Sequence, residues 1–384
     1  MKNNPNPRNK KKIAFLFLDE IHHLFHFISI AIELSKTNRV HILTYKGVDD
    51  LLYKSLGDLK GDKLVVEELP TFPFRSFTDK LKNRKLPRKG FWLKRNLNYL
   101  LNEFNAVVFT DYFHRYLLEA RKNNSPKLLK FSHGTPGRAY AFNENLQDFD
   151  FQLLIGNYQY KQYKKLGILG KNYAITGYSK FDAVKHCPKR QIFKNKRTTV
   201  LYNPHFDPDF SSWQDEGLNI LEFFYKQDTY NLIFAPHLHL FQKKKGGESK
   251  KVISEKYFSS DNIHIDLGSV ASVNMTHVHN ADIYMGDVSS QIYEFITTPR
   301  PCLFLNTKNF NYKKDISFRF WQCGPVIENS NNLKENLELA QRSFPDYKNI
   351  QQEITAQNYY TEEGSTPSER GAKAINKYLK KAGS

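Results

Sequence analysis

Short apolar runs of strand length alternate with stretches long enough for helices along most of the chain, and few folds accept such a pattern. The runs KIAFLFL (12–18), RVHILTYK (39–46), NAVVFTD (105–111), KLLKFSHG (127–134), FQLLIGN (151–157) and NYAITGYS (172–179) read as buried strands. Between them HLFHFISIAIELSK (23–36) and YFHRYLLEARKN (112–123) read as helices. A basic polar stretch, KHCPKRQIFKNKR (185–197), interrupts the alternation, which then restarts with TTVLYNP (198–204), the helix GLNILEFFYKQ (217–227), YNLIFAPH (230–237), NIHIDLG (262–268), ADIYMGD (281–287), the helix SQIYEFITT (290–298) and RPCLFLN (300–306). Strands that alternate with helices form a parallel sheet covered on both faces. The pattern therefore predicts two doubly wound, Rossmann-like α/β domains: residues 1–184, a linker at 185–197, residues 198–355, and a helical tail at 356–384.

The chain of 384 residues is large enough for two cores. Cys187, Cys302 and Cys323 are far apart in sequence and form no CxxC or zinc pattern, so the reading includes neither a disulfide framework nor a structural metal. The basic N-terminus is followed by IAFLFL, but Asp19 and Glu20 come at once and no small-residue cleavage site follows, so a signal peptide is not expected. No apolar run approaches the roughly 18 residues that span a bilayer. The expectation is a cytoplasmic protein. Its 57 Lys and Arg against 39 Asp and Glu leave a net charge of +18, which suits phosphate-bearing substrates, an anionic membrane or nucleic acid. The segment from Lys80 to Leu100 mixes basic residues with Phe91, Trp92 and Leu93, a composition that fits either an anionic membrane face or a solvated helix with core anchors. No familiar nucleic-acid-binding motif is present, and nucleic acid is not an expected partner.

In open α/β sheets ligands bind outside the carboxyl ends of strands, and four such places carry polar groups. The first is FSHGTPGR, where Gly134 and Gly137 permit close backbone approach and His133 can take a proton near neutral pH; a glycine-rich turn is the plainer role. The second is YNPHFDP (202–208). In the third, IFAPHLHL, His237 and His239 share one face of an extended segment, but no further ligand at a familiar spacing completes a metal site, so contact with a phosphate is the better functional reading. The fourth is MGDVSSQIYEF: Asp287 ends a strand, and Ser289 and Ser290 open a helix, either as an N-cap or as hydroxyls that hold a phosphate. Glu294 lies one turn beyond Ser290 and can accept from a ribose diol, or is a surface glutamate.

Taken in order, HGTxxR, TGYSKFD, YNPHFDP, FAPH, ADIYMGDVSSQIYEF and RPCLFLN resemble the CDP-glycerol glycerophosphotransferase family of teichoic-acid primases and polymerases, from Leu128 to about Leu305. The resemblance implies a GT-B fold, two Rossmann-like domains facing across a cleft, with the nucleotide donor on the C-terminal domain and the acceptor on the N-terminal one. It implies His133 as the base for the acceptor hydroxyl and His237 on the donor's diphosphate. It further implies donor and phosphate contacts from Ser289, Ser290, Asp287, Glu294, Pro236, Asn203, Gly134, Thr135 and Arg138. Val288 stands where the family has tyrosine, Arg138 replaces a lysine, and the lysine and proline that flank the family's histidine are missing around His237.

The expected function is transfer of glycerol phosphate, or a related polyol phosphate, from a CDP-activated donor to a hydroxyl of a cell-surface glycan precursor. The donor is the only cofactor-like molecule expected, no metal is included, and the expected partners are the donor, a glycan or lipid-linked acceptor and the inner face of the cell membrane. The alternatives are a GT-B glycosyltransferase using a sugar nucleotide in capsule or O-antigen assembly, with Asp287, Glu20 and His133 as acid/base candidates, and a non-catalytic basic binding protein.

Overall fold

The computed structural model describes residues 10–19, 21–46, 50–81, 88–132, 134–136, 142–185, 187, 191–241 and 252–382. The chain divides into two compact units, the first made of Met1–Thr135, Phe142–Cys187 and Asn358–Ser384, the second of Pro136–Ala141 and Pro188–Gln357.

The first unit is built on β1 (Lys12–Phe17), β2 (Arg39–Tyr45), β3 (Val65–Leu69), β4 (Ala106–Phe109), β5 (Lys127–Phe131), β6 (Phe151–Leu154) and β7 (Tyr173–Ile175), all parallel, in the order β3-β2-β1-β4-β5-β6-β7. Phe15 of β1 aligns with Ile42 on one side and Val108 on the other. The second unit has β8 (Thr198–Asn203), β9 (Tyr230–Phe234), β10 (Ile263–Ile265), β11 (Ile283–Gly286), β12 (Cys302–Leu305) and β13 (Val326–Ile327) in the order β10-β9-β8-β11-β12-β13. Helices cover both faces, so central strands are buried along their whole length; every residue of β9, β11 and β12 is buried. The strand order reverses next to the first strand of each unit, between β1 and β4 and between β8 and β11, and such switch points open a crevice at the carboxyl edge.

Of the segment 356–384 read from sequence as a separate tail, the residues from Asn358 onward are part of the first unit. Tyr360 N donates to Ile155 O at 2.9 Å, and a Cβ on Gly156 would lie 2.1 Å from the Asn358 carbonyl oxygen, so only glycine admits this approach. The helix Pro367–Lys381 starts with a capping box between Thr366 and Glu369, and the backbone N–H and hydroxyl of Ser368 both donate to Asp182 Oδ2, at 2.8 and 2.6 Å. The change of unit at Cys187–Pro188 falls inside the basic stretch read as a linker. Among the described residues no helix is long and apolar enough to cross a membrane.

The segment expected to lie on a membrane, Lys80–Leu100, is anchored in the core where it is described; residues 82–87 lie outside the described residues. Trp92 and Leu93 are fully buried, with Trp92 Nε1 donating to Leu69 O at 2.9 Å, so Lys89–Arg95 is a core-anchored helix. The exposed apolar surface lies earlier, on the helix Pro73–Leu81, where Phe74, Phe77 and Leu81 are 68%, 62% and 70% exposed.

Candidate functional site

At the carboxyl edge of the second sheet the chain leaves β8 and β11 side by side, and Asp287, the residue after β11, holds the two together. The carboxylate is 1% exposed. Its Oδ1 accepts from His205 N at 2.8 Å and Val288 N at 2.5 Å, and its Oδ2 from Ser212 N at 2.6 Å and Ser212 Oγ at 2.8 Å. Burial raises its pKa, and the hydrogen bonds from Ser212, Val288 and His205 oppose that rise. Because the Ser212 hydroxyl hydrogen goes to Asp287, the 2.9 Å contact between Tyr202 and Ser212 has the tyrosine O–H as donor. Trp321 Nε1 donates to the Asp287 carbonyl at 2.8 Å. Asp287, read as a donor contact, is instead committed to bracing His205, Ser212 and Val288 at the carboxyl edge of the sheet.

Two histidines stand on this brace. His205 Nδ1 accepts from Asp207 N at 3.1 Å, and His237 Nδ1 accepts from His239 N at 3.2 Å, while His237 N donates to Pro204 O at 3.0 Å. A neutral imidazole whose Nδ1 accepts carries its hydrogen on Nε2, so both rings are set to donate from Nε2. Phe206 lies between them, with ring centroids 4.5 Å from His205, 4.6 Å from His237 and 5.3 Å from His239. From His205 an aromatic row continues through Phe210, Phe310, Phe318 and Trp321.

The remaining predicted residues of this unit fall into two groups. Asn203 is buried and committed to the sheet, with Nδ2 donating to Ala235 O at 2.6 Å, and Pro236 is buried beside it. Ser290 is exposed and makes no side-chain capping bond, whereas Ser289 is buried and its Oγ accepts from Gln291 N at 3.3 Å. The two hydroxyls thus do not face outward together. The helix they open is Gln291–Phe295, a single turn and a half rather than the longer helix read from the sequence, and Glu294 on it is 6% exposed.

In the first unit the switch point between β1 and β4 carries a cluster that the motifs did not single out. Lys89 pairs with Asp19 and, at 2.6 Å, with Asp111. His23 Nδ1 lies 3.0 Å from Thr110 Oγ1 and 3.5 Å from Asp19 Oδ2. At the end of β5, the fully buried Lys130 Nζ donates to Thr110 O at 2.8 Å and Phe131 O at 2.7 Å and lies 4.8 Å from the centre of the Tyr112 ring. Burial drives its pKa down to about 7, although Asp111 and Asp19 favour its charge. Asp19 moves the other way, raised by burial against the pull of Lys89. A lysine inside an otherwise apolar strand was the signal available in KLLKF.

Gly134 follows β5 with φ of 153°, a conformation that favours glycine, and Thr135 Oγ1 is hydrogen-bonded to Tyr359 OH at 2.8 Å. His133, Arg138, Gly137 and Glu20 lie outside the described residues.

No family model and no curated protein matches the sequence. Solved structures do resemble the whole chain. The wall teichoic acid polymerase TagF is similar with a TM-score of 0.61 at 15% identity, covering 96% of this chain and 89% of that one. The UDP-GlcNAc 2-epimerase from Neisseria meningitidis bound to UDP-GlcNAc gives 0.56 at 14% identity, covering 96% and 100%, and an S. aureus MnaA–UDP co-structure gives 0.61 at 13%, covering 96% and 97%. At such identities the likeness is one of fold, and with the strand orders above it gives the conclusion that this chain has the two-domain α/β fold known as GT-B.

Proposed function

We propose that the chain is a transferase that moves glycerol phosphate, or a related polyol phosphate, from a CDP-activated donor to a hydroxyl of a cell-surface glycan precursor. The observation that carries this reading is His237, whose Nδ1 accepts from His239 N, which puts the ring hydrogen on Nε2, at the carboxyl edge of the second sheet, where ligands bind in such folds. The order of the sequence motifs and the likeness to TagF support the donor class.

In this mechanism the acceptor oxygen attacks the donor's β-phosphorus as its proton passes to His133, and the bond from that phosphorus to the CMP oxygen breaks. His237 and the hydroxyl of Ser290 donate hydrogen bonds to the diphosphate and stabilise the charge that grows on CMP. Asp287 acts through the loops it holds and does not meet the donor. In this reading the cluster around Lys130, Asp19 and Asp111 holds the acceptor's hydroxyls in the first unit. A membrane-borne acceptor fits the basic chain and the helix Pro73–Leu81, whose exposed Phe74, Phe77 and Leu81 lie at i, i+3, i+7 on one face; the protein would then work at the cytoplasmic face of the membrane.

A second reading, a glycosyltransferase using a sugar nucleotide, is favoured by one observation: structures that hold UDP-GlcNAc or UDP are similar to this chain at nearly the same TM-score as TagF. Thermal stabilisation by CDP, CMP, UDP, GDP and ADP, followed by turnover of CDP-glycerol, separates the two. Stabilisation by cytidine nucleotides with release of CMP supports the first. Stabilisation by uridine or guanosine nucleotides, with turnover of sugar nucleotides alone, overturns it.

A further inference from the structure

We propose that His264 and His277, with Asp266 behind His277, form a binding site for a divalent transition metal of the zinc class. One ligand atom from each of the three lies within 4.8 Å of the other two. His264 is on the edge strand β10, Asp266 follows that strand directly, and His277 is on the helix Thr276–Asn280. His277 is 1% exposed, and its Nε2 lies 2.6 Å from Asp266 Oδ2. Its other nitrogen, Nδ1, is buried with no hydrogen-bond partner.

That orphaned nitrogen is the second observation that points to a ligand. With the Nε2 hydrogen given to Asp266, Nδ1 presents a bare lone pair in a place closed to water, and leaving it unmet costs free energy. A metal ion satisfies it. The carboxylate is already oriented for a supporting role, because Asp266 Oδ1 accepts from Gly268 N and Ser269 N at 3.0 and 2.7 Å and Oδ2 accepts from Ser269 Oγ at 2.6 Å. A carboxylate behind a histidine fixes its tautomer and strengthens it as a ligand. The His264 ring is 5.5 Å from that of His277 and is half-buried, which gives an ion access from solvent. Two imidazoles, one of them backed by a carboxylate, suit zinc, cobalt or nickel, whereas magnesium and calcium prefer sets made of oxygen.

The ion would pin the edge strand to the helix and fix the loop between them. That loop reaches the candidate donor site, since Ser272 O accepts from Gln291 Nε2 at 3.1 Å, next to Ser290. The role is structural and does not depend on the transferase reading.

The test is calorimetric titration of the tag-free, chelator-stripped full chain with zinc sulfate, together with its melting temperature. The expected result is one equivalent bound and a raised melting temperature. His264→Ala and His277→Ala should each weaken binding at least tenfold, Asp266→Asn about tenfold or more, and His237→Ala should leave the titration unchanged. X-ray absorption of the zinc-loaded wild-type chain, which needs no variant to fold, should show imidazole scattering. Absence of zinc binding, absence of imidazole scattering, or binding that survives both histidine variants overturns the proposal; loss only in His237→Ala overturns it too, by moving the ion to the other histidines.

Discussion

Asp287 Oδ2 accepts both the backbone N–H and the hydroxyl of Ser212, a residue 75 positions earlier in the chain. One carboxylate oxygen thus locks the start of the helix Trp213–Lys226 to the end of β11, and the other locks His205 to the same point. Asp287→Asn keeps the shape but turns half of the acceptor into a donor that must face N–H and O–H groups. The expected cost is roughly 1–3 kcal/mol of stability, because buried donors lose their partner. Chemical denaturation measures it, and an unchanged midpoint and slope would show that these hydrogen bonds do not hold the fold together.

His237→Gln removes an imidazole whose Nδ1 is already occupied by His239 N, so the change falls mainly on what Nε2 would donate to. A hydrogen bond to a charged phosphate contributes about 1.5–3 kcal/mol, which corresponds to roughly tenfold or more in nucleotide affinity. Calorimetry with CDP should show that loss while the melting temperature of the free protein moves little. Equal CDP affinity in the variant would remove His237 from the diphosphate.

The fold was legible because strands of a parallel sheet, buried on both faces, read as unbroken apolar runs. Where that physics lapses, so did the reading. β3 is an edge strand, VVEEL, with no fully buried residue, and β13 has only two residues. The helix Phe344–Asn358 was not recognised because one of its main anchors is polar: the fully buried Gln351 amide accepts from Arg300 N and donates to Arg300 O and Cys323 O. At the site, chain-local motifs found the strand ends but could not show how each side chain is used. Asn203 turns into the sheet, Asp287 reaches back to Ser212, and the Lys130 cluster joins residues at the ends of three strands and one on a helix that no short window contains.

Lys130 gives a pH-dependent prediction. Its pKa is about 7 in the folded protein and near 10.4 in an unfolded chain, so between these values the unfolded state binds the extra proton and stability rises with pH. One such group adds at most about 1.4 kcal/mol per pH unit. Denaturation midpoints measured from pH 7 to pH 10 should therefore climb more steeply in the wild-type chain than in Lys130→Met. Parallel profiles would mean that Asp19 and Asp111 keep the lysine charged.

The helix Pro73–Leu81 places Phe74, Phe77 and Leu81 on one exposed face, with the Arg75 guanidinium 4.1 Å from the centre of the Phe91 ring. Apolar burial in the interface and the attraction of a +18 chain to anionic lipid act together here, so binding should depend on both. Phe74→Ser with Phe77→Ser removes most of the apolar part, leaving Leu81, and leaves the charge and the buried core untouched. Co-sedimentation with vesicles containing anionic phospholipid should fall several-fold in this double variant, and high salt should release the wild-type chain. Undiminished sedimentation of the double variant would mean that charge alone, or another surface, holds the protein to the membrane.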